Sequence, residues 1–223
     1  MSEVHPDRFQ HERALLGAGE ILIAGVDEAG RGPLAGPVVA AAVILPARWV
    51  RDGIPEDLRT LNDSKQLTAS QRERFFERLT VDPAIRFGIA WVEAAVIDAI
   101  NILQATHRAM NEALRQLSPA PAHALVDGTR VKSLCVTQTP LVRGDSRSYS
   151  IAAASVLAKV TRDQILREAD AQWPGYGFAR HKGYPTSEHL EALATRGPCP
   201  IHRRSFAPLK TAEPSLFPTP ARR

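Results

Sequence analysis

The chain has 223 residues, of which 44% are hydrophobic and 23% are charged, and its formal net charge at pH 7 is +4. This length and composition predict one sizeable globular core. No apolar run approaches the length of a membrane span or resembles a secretion signal, so we expect no membrane partner and a cytoplasmic location. Cys135 and Cys199 show no close metal-ligand spacing, so the sequence supports neither a disulfide scaffold nor a zinc site.

The predicted elements alternate between strands and helices. Periodicity predicts a helix over 7–16, strands over 21–26 and 38–45, a helix over 68–79, a strand over 86–92 and a helix over 94–117. A polar, proline-containing stretch occupies 46–61. Short strands over 123–126 and 134–136 and one long helix over 146–171 follow. This order predicts an α/β sheet covered by helices.

The positive charge is concentrated near the C-terminus. Residues 174–223 contain eight Lys and Arg against three acids, whereas the preceding residues contain 20 bases and 21 acids. Such a segment is typical either of a surface for a polyanion or of a solvated basic tail, and charge alone does not separate the two.

Two adjacent acids follow the first predicted strand, in the run GVDEAGRGPLAGP over residues 25–37. Ionised Asp27 and Glu28 repel each other unless a cation lies between them, which indicates a divalent metal site. Successive strand residues point to opposite faces, so both acids could serve one ion only if the strand bends or one ligand acts through water. A polar turn in which Asp acts as a cap is the alternative.

The glycines after these acids do not form a known nucleotide-binding motif. The spacing from Gly25 to Gly32 is that of a P-loop, but the Lys and the hydroxyl are missing and two acids would oppose a triphosphate. A strand follows where a dinucleotide fingerprint requires a helix. The remaining interpretation is a backbone shaped for close approach, where Arg31 offers charge-assisted hydrogen bonds to phosphate.

Two later acids have a placement that could join the first pair. Asp127 follows an apolar strand and precedes Gly128, and ligands of open α/β sheets gather at such strand ends. Asp145 precedes the long helix, whose small residues over 150–155 predict close packing against a neighbour; a simple N-cap role is the alternative. Four acids without clustered His or Cys favour Mg²⁺ or Mn²⁺ over zinc.

Six motifs together resemble bacterial ribonuclease HII, and they occur in the expected order between about residues 8 and 209. They are GVDEAGRGPLAGP, NDSKQL at 62–67, LVDG at 125–128, GDSRSYSIAAASVLAKVTRD at 144–163, HKGYPT at 181–186 and HRRSF at 202–206. The resemblance implies a ribonuclease H-like fold, in which a central five-stranded mixed sheet carries helices on both faces and a small helical C-terminal part.

The resemblance also implies an activity, and the sequence itself predicts a division of the chain. The activity is endonucleolytic cleavage of RNA in RNA/DNA hybrids and incision on the 5′ side of a single ribonucleotide in duplex DNA, with 5′-phosphate products. The division would be an N-terminal helical extension over 1–19, a catalytic domain over 20–207 and a disordered proline-rich basic tail over 208–223. We expect a monomer whose partner is nucleic acid, and the sequence leaves open whether the tail contacts a replication clamp.

The resemblance assigns roles to individual residues. The metal-binding and catalytic acids would be Asp27, Glu28, Asp127 and Asp145. They would hold two Mg²⁺ or Mn²⁺ ions roughly 4 Å apart, with Asp27 as the bridging ligand and Asp145 as the most peripheral. Substrate contacts would come from the Gly30, Arg31 and Gly32 turn at the 2′-hydroxyl, from Tyr184 on the sugar beyond the RNA-to-DNA junction, and from Asn62, Ser64 and Lys65 on the backbone.

Four alternatives remain at this point. Another metal nuclease of the same fold, such as a junction resolvase or a proofreading exonuclease, could share the four acids, and a non-catalytic binding module would need only the basic surface. Tyr184 could instead be a half-buried residue that caps the core. His181 and His202 fit either a contact with nucleic acid or a structural hydrogen bond.

Overall fold

The computed structural model describes residues 7–19 and 22–210, and its centre is one mixed sheet of five strands. The strands are β1 (Ile23–Ala29), β2 (Val38–Ile44), β3 (Arg86–Val92), β4 (His123–Asp127) and β5 (Thr137–Leu141), in the order β3-β2-β1-β4-β5. Strand β2 is antiparallel to both β1 and β3, whereas β1, β4 and β5 run parallel to one another. This sheet confirms the expected five-stranded mixed architecture.

Seven helices accompany the sheet within the described residues. They are α1 (Gln10–Gly17), α2 (Ala47–Asp52), α3 (Ala69–Val81), α4 (Ala94–Arg115), α5 (Tyr149–Gln172), α6 (Phe178–His181) and α7 (Ser187–Arg196). Short 3₁₀ turns span Glu56–Leu58 and Gly144–Ser146. None of the helices in this part of the chain combines the length and apolar character needed to cross a bilayer.

The two long helices cover opposite faces of the sheet. The side chains of β2 alternate: Val39 and Ala41 pack in the cluster that includes α5, and Val38 and Ala40 pack in the cluster that includes α4. All seven residues of β2 are buried, which explains its continuous apolar sequence. Helices therefore lie on both faces, as expected.

Helix α5 lies unusually close to β1. A Cβ atom on Gly25 would lie 2.1 Å from the carbonyl carbon of Ser150 and 2.3 Å from the nitrogen of Ile151. Since no side chain fits this space, glycine in the strand and small residues at the start of α5 are both required. The small-residue face thus packs closely, as the sequence predicted, and it brings the beginning of α5 against the middle of β1.

A small helical part follows α5, as expected. Helices α6 and α7 enclose a third cluster, in which Tyr176, Phe178 and Leu193 pack against Leu34 and Leu166. This cluster links the C-terminal part to the loop after β1.

Some sequence-based boundaries were wrong. The strand expected over 134–136 is not formed: β5 begins at Thr137, and the backbone of Cys135 instead donates to the side chain of Asn111 at 2.7 Å. The stretch over 46–61 contains α2, because Trp49 and Val50 supply two buried apolar side chains. The predicted division at residues 20 and 208 stays a prediction, and most of the tail, 211–223, lies outside the described residues.

Candidate active site

Three acids converge at one edge of the sheet. Strands β1 and β4 are parallel and pair Val26 with Val126, so Asp27 and Asp127 follow side by side on the face that α5 covers. Asp145 lies in the 3₁₀ turn that leads into α5. One carboxylate oxygen from each of these three residues lies within 4.8 Å of the others. We call this group the acidic triad.

Neighbouring groups hold the triad in place. The backbone nitrogen of Glu28 donates to Oδ1 of Asp27, and that of Gly144 donates to Oδ1 of Asp127, both at 2.7 Å. Nη2 of Arg8 donates to the backbone oxygen of Asp145 at 2.7 Å. The carboxylates are therefore oriented before any ligand binds.

The triad is electrostatically strained. Burial raises the pKa of Asp27 well above its ordinary value, and repulsion from Glu28 and Asp127 adds to the shift. Burial, together with repulsion from Asp127 and Asp63, raises the pKa of Asp145 to about 6. Among the ion pairs of the described residues, none includes a triad member. A bound cation would remove this repulsion.

Glu28 lies outside the triad. It follows Asp27 in β1 and therefore points to the opposite face of the strand, where Nη1 of Arg31 lies 3.3 Å from its Oε1. Burial raises the pKa of Glu28, although Arg31 opposes the shift. The order within the site thus differs from the expectation that Asp145 is the most peripheral acid: Asp145 joins the triad, and Glu28 is the acid set apart.

The alternative role of Asp145 as an N-cap does not fit the structure. Ser148 is the N-cap residue of α5, and its Oγ accepts a hydrogen bond from the nitrogen of Ile151 at 3.2 Å. The 3₁₀ turn separates Asp145 from the helix, which leaves its carboxylate beside Asp27 and Asp127.

The donor set fits a hard divalent cation. Its ligand atoms are carboxylate oxygens alone, which Mg²⁺ and Mn²⁺ prefer. Lys65 is a cationic group beside these acids: partial burial lowers its pKa, but Asp63, Asp27, Asp145 and Asp127 outweigh burial and raise the pKa. Lys65 thus borders the site and stays positively charged beside the carboxylates.

Two buried arginines shape the turn after β1. Arg203 is fully buried, and its Nη2 and Nη1 donate to the backbone oxygens of Gly30 and Arg31 at 2.6 and 2.9 Å. Gly30 has φ +94°, and a Cβ there would lie 2.0 Å from Nε of Arg162. The turn therefore requires glycine at this position, and its carbonyl groups point inward.

Arg162 connects this turn to the C-terminal part. It is fully buried and donates to the backbone oxygens of Pro37, Ala35 and Lys182, each at 3.0 Å. Sequence analysis missed both arginines. A signal was available for Arg162, because it lies four residues from Ala158 and Leu166 on the buried stripe of α5.

Tyr184 borders a groove beside the triad, which we call the Tyr184 groove. The groove has a volume of about 440 Å³ and contains, besides Tyr184 itself, the side chains or backbone of Asp27, Gly30, Arg31, Gly32, Ser64, Lys65 and Lys159. The Tyr184 side chain is 43% exposed and belongs to no hydrophobic cluster of the described residues, so it does not cap the core.

The remaining predicted contacts divide into two groups. Ser64 and Lys65 line the Tyr184 groove, and Ser64 accepts a hydrogen bond from Ser155 at 3.0 Å. Ser155 also lowers the pKa of Asp27, against the larger effect of burial, a supporting role that the sequence analysis missed. Asn62 is not among the groove residues; its amide donates to Gln66 at 3.2 Å. A role for Asn62 at the substrate stays a prediction.

The C-terminal histidines form a buried hydrogen-bond chain. Because the backbone carbonyl oxygen of Tyr184 only accepts, Nδ1 of His189 donates to it at 2.9 Å. Nε2 of His189 then accepts from Nε2 of His202 at 3.0 Å, and Nδ1 of His202 accepts from the nitrogen of Cys199 at 3.0 Å. This pattern needs neutral imidazoles. His181 is also buried, so both histidines considered for nucleic-acid contact have structural partners.

The arrangement matches known proteins over most of the chain. A family model described as Ribonuclease HII matches residues 24–209. A protein named Ribonuclease HII from Ruminiclostridium cellulolyticum is 53% identical over 195 residues, which cover 87% of this chain and 73% of that protein. Another with the same name from Citrifermentans bemidjiense is 51% identical over 209 residues, covering 94% of this chain and 87% of that protein.

Solved structures agree with the sequence comparison. The ribonuclease H2 from Pyrococcus horikoshii superposes with a TM-score of 0.69 at 27% identity, covering 85% of this chain and 95% of that chain. A Bst-RNase HIII structure in complex with Mn²⁺ has a TM-score of 0.58 at 16% identity, over 79% of this chain and 70% of that chain, and supports the fold only.

Proposed function

The chain belongs to the ribonuclease HII family of metal-dependent endonucleases, which cleave RNA in RNA/DNA hybrids, and from this premise we propose that it also incises duplex DNA on the 5′ side of a single embedded ribonucleotide. The observation that carries the proposal is that Asp27, a member of the acidic triad, lines the same groove as the glycine turn and the exposed Tyr184. Cleavage and recognition of the junction would thus occur side by side.

Asp27, Asp127 and Asp145 would hold two Mg²⁺ or Mn²⁺ ions, and Glu28 would complete the set from the adjacent face. When bound, the two ions would activate the attacking water and stabilise the departing 3′ oxygen. The backbone groups of Glu28 and Gly144 fix the orientation of Asp27 and Asp127, so these acids need little rearrangement on binding. Because neighbouring carboxylates repel one another, we expect weak binding of metal without substrate and coupling between metal and substrate affinity.

The turn would recognise the 2′-hydroxyl through its backbone. Arg203 binds the carbonyls of Gly30 and Arg31, and in a trans peptide the following N–H points away from the carbonyl. The amides of Arg31 and Gly32 therefore face away from Arg203, on the side where donors could meet a ribose or its phosphate. The 2′-hydroxyl is the group that separates RNA from DNA at one position.

Tyr184 would recognise the next sugar. Its ring lies 4.0 Å from the position of a Cβ on Gly32, so the ring and the turn adjoin. An aromatic face fits a deoxyribose, which lacks the hydroxyl. A ribose at the turn followed by a deoxyribose at Tyr184 is the RNA-to-DNA junction that defines the proposed substrate.

A duplex with one ribonucleotide tests this proposal. An end-labelled DNA duplex with a single internal ribonucleotide, incubated with Mg²⁺ or Mn²⁺, should yield one nick on the 5′ side of that nucleotide and a 5′-phosphate on the downstream product. The same duplex without ribonucleotide is the control and should stay intact. Cleavage of a continuous hybrid without any cleavage at the embedded ribonucleotide would contradict the proposal.

The same assay separates the alternatives. A junction resolvase would cut a four-way DNA junction, and a proofreading exonuclease would shorten the all-DNA duplex from its end. A binding module would retain the ribonucleotide duplex without turnover in either metal. We expect none of these three results.

A further inference from the structure

A second groove leaves the active site on the opposite face of the sheet. It has a volume of about 580 Å³ and runs between α4 and the loop over 128–133, and we call it the α4 groove. Glu28 and Arg31 line both grooves, and Asp127 lies in the α4 groove. The two grooves therefore meet at Glu28, with Asp27 lining the first and Asp127 the second. The Tyr184 groove lies on the α5 side of the sheet, and the α4 groove lies on the α4 side.

The loop that forms one wall of the α4 groove is held rigidly. The side chain of Gln138 binds both backbone groups of Val131, accepting from its nitrogen at 2.8 Å and donating to its oxygen at 2.7 Å. Nδ2 of Asn111 donates to the oxygen of Ser133 at 2.9 Å, and Ser133 also contacts the ring of His107 at 3.2 Å. A wall fixed in this way loses little conformational entropy when a ligand binds.

Beyond the acids, the groove is positively charged. Arg130 and Lys132 are exposed, and none of the ion pairs formed by the described residues uses them. The charge of Arg31 extends to His107 across the groove, since burial and then Arg31 lower the pKa of that imidazole. Arg130 and Lys132 thus line the same groove as Asp127, which suits a polyanion that also reaches the triad.

We infer that the α4 groove binds the sugar-phosphate backbone of the nucleotides on the 5′ side of the scissile phosphate, with Arg130 and Lys132 contacting successive phosphates. This inference rests on the proposed function, because Tyr184 marks the 3′ side. A strand that has its junction at Tyr184 and its scissile phosphate at the triad continues past Asp127, and the α4 groove is the continuation there. Phosphate contacts of this kind position a substrate without selecting its sequence.

The test compares a double variant with a matched control on substrates of different length. The test variant, Arg130→Gln/Lys132→Gln, removes two positive charges from the α4 groove. The control, Arg48→Gln/Arg51→Gln, removes two exposed positive charges on α2, which follows the end of β2 that is far from the acids. The substrates are duplexes with one embedded ribonucleotide, one with long flanks, one shortened on the 5′ side and one shortened on the 3′ side. KM and kcat are measured for each, and thermal unfolding verifies the fold.

The groove variant should raise KM about tenfold on the long substrate and leave kcat within about twofold, whereas the control variant should match the wild type. The slope of log(kcat/KM) against log[salt] should decrease by about one to two, because each lost phosphate contact removes about one unit. The KM difference should vanish on the substrate shortened at the 5′ side and persist on that shortened at the 3′ side. The charge-preserving Arg130→Lys/Lys132→Arg should behave as the wild type.

The inference is overturned if the groove variant has the same KM as the wild type. It is also overturned if the increase in KM is lost when the 3′ flank is shortened and not when the 5′ flank is shortened. Fluorescence anisotropy of the same duplexes without added metal gives a second readout that needs no turnover. This binding measurement tests the α4 groove even if the protein does not cut at the embedded ribonucleotide. Such a lack of cleavage would contradict the proposed function but not the inference about the groove. Loss of affinity that depends on the 5′ flank supports the groove in that case, and equal affinity of both variants overturns it.

Discussion

Two regions of the molecule bury titratable groups but differ in the partners that these groups have. One is the acidic triad, and the other is the C-terminal scaffold, which comprises Arg162, Arg203, His189 and His202. The triad places three carboxylates within 4.8 Å, and burial and mutual repulsion raise the pKa of Asp27. In the scaffold, each arginine donates to three backbone carbonyls, and the histidines hydrogen-bond each other and the backbone. The scaffold is complete without a ligand, whereas the triad needs a cation. This contrast distinguishes structural burial of polar groups from functional burial.

The largest expected effect comes from Asp27→Asn, which removes the central charge of the triad. We expect cleavage to fall on the order of 10⁴-fold, because one charged metal ligand is lost, while affinity for an RNA/DNA hybrid measured without added metal changes little. Without metal, the variant should also melt at a higher temperature than the wild type, since one buried repulsive charge is gone. Asp52→Asn, an exposed acid of α2, is the control. Full activity of Asp27→Asn in saturating Mg²⁺ would remove Asp27 from the site.

Arg203→Ala should produce the next largest effect, on stability. It would remove the buried guanidinium that donates to the backbone carbonyls of Gly30, Arg31 and Gly36, at an expected cost of about 3–5 kcal/mol in the free energy of unfolding. The neighbouring Arg204→Ala, at an exposed position, should change that free energy by less than about 0.5 kcal/mol. Urea denaturation measures both. Equal stability of the two variants would mean that the scaffold does not depend on its buried guanidinium groups.

Acid should destabilise the scaffold through His202. Burial lowers the pKa of His202 to about 4, from the ordinary value of 6.5 that holds in an unfolded chain. Between pH 6.5 and about pH 4, the imidazole of His202 is protonated in the unfolded chain but stays neutral in the folded chain. The free energy of unfolding therefore decreases as the pH falls, by about 3 kcal/mol in total. His202→Gln should lose correspondingly less between pH 7 and pH 4.5 in urea denaturation. An identical pH dependence in both proteins would show that His202 does not stay neutral.

Tyr184→Ala should have the smallest effect, about tenfold, and only on substrate preference. Without the ring, the preference for the embedded ribonucleotide over a continuous hybrid should decline, because the deoxyribose loses its contact surface. Tyr184→Phe keeps the ring and should retain the preference. Competition between the two labelled substrates in one reaction measures the ratio. Equal losses on both substrates would assign Tyr184 a general role in binding or folding.

The sequence predicted the fold closely where periodicity and burial agree. Strand β3 matches the predicted bounds, and β2 differs by one residue, because its apolar side chains pack on both faces of the sheet. The error near residue 135 has the opposite origin. Leu134 and Val136 are apolar and pack against the core, but Asn111 and Gln138 hold the loop around them by hydrogen bonds that no local pattern reveals.

The site was predictable in composition but not in arrangement. Strand alternation already set Asp27 and Glu28 on opposite faces, and the structure keeps them there. The place of Asp145 within the triad depends on the 3₁₀ turn before α5, and tertiary contacts from Arg8 help to hold that turn. Arg162 and Arg203 were missed because their partners are backbone carbonyls, which no side-chain pattern identifies; only the position of Arg162 on the buried stripe of α5 indicated that it is buried.

The central claim is that three carboxylates from separate segments form one cation site, and metal-dependent stability tests it most directly. A cation that binds the folded state alone raises the melting temperature with its concentration. Millimolar Mn²⁺ should therefore raise the melting temperature of the wild type and have a clearly smaller effect on Asp27→Asn and on Asp145→Asn. If Mn²⁺ stabilises all three proteins equally, the triad is not the metal site.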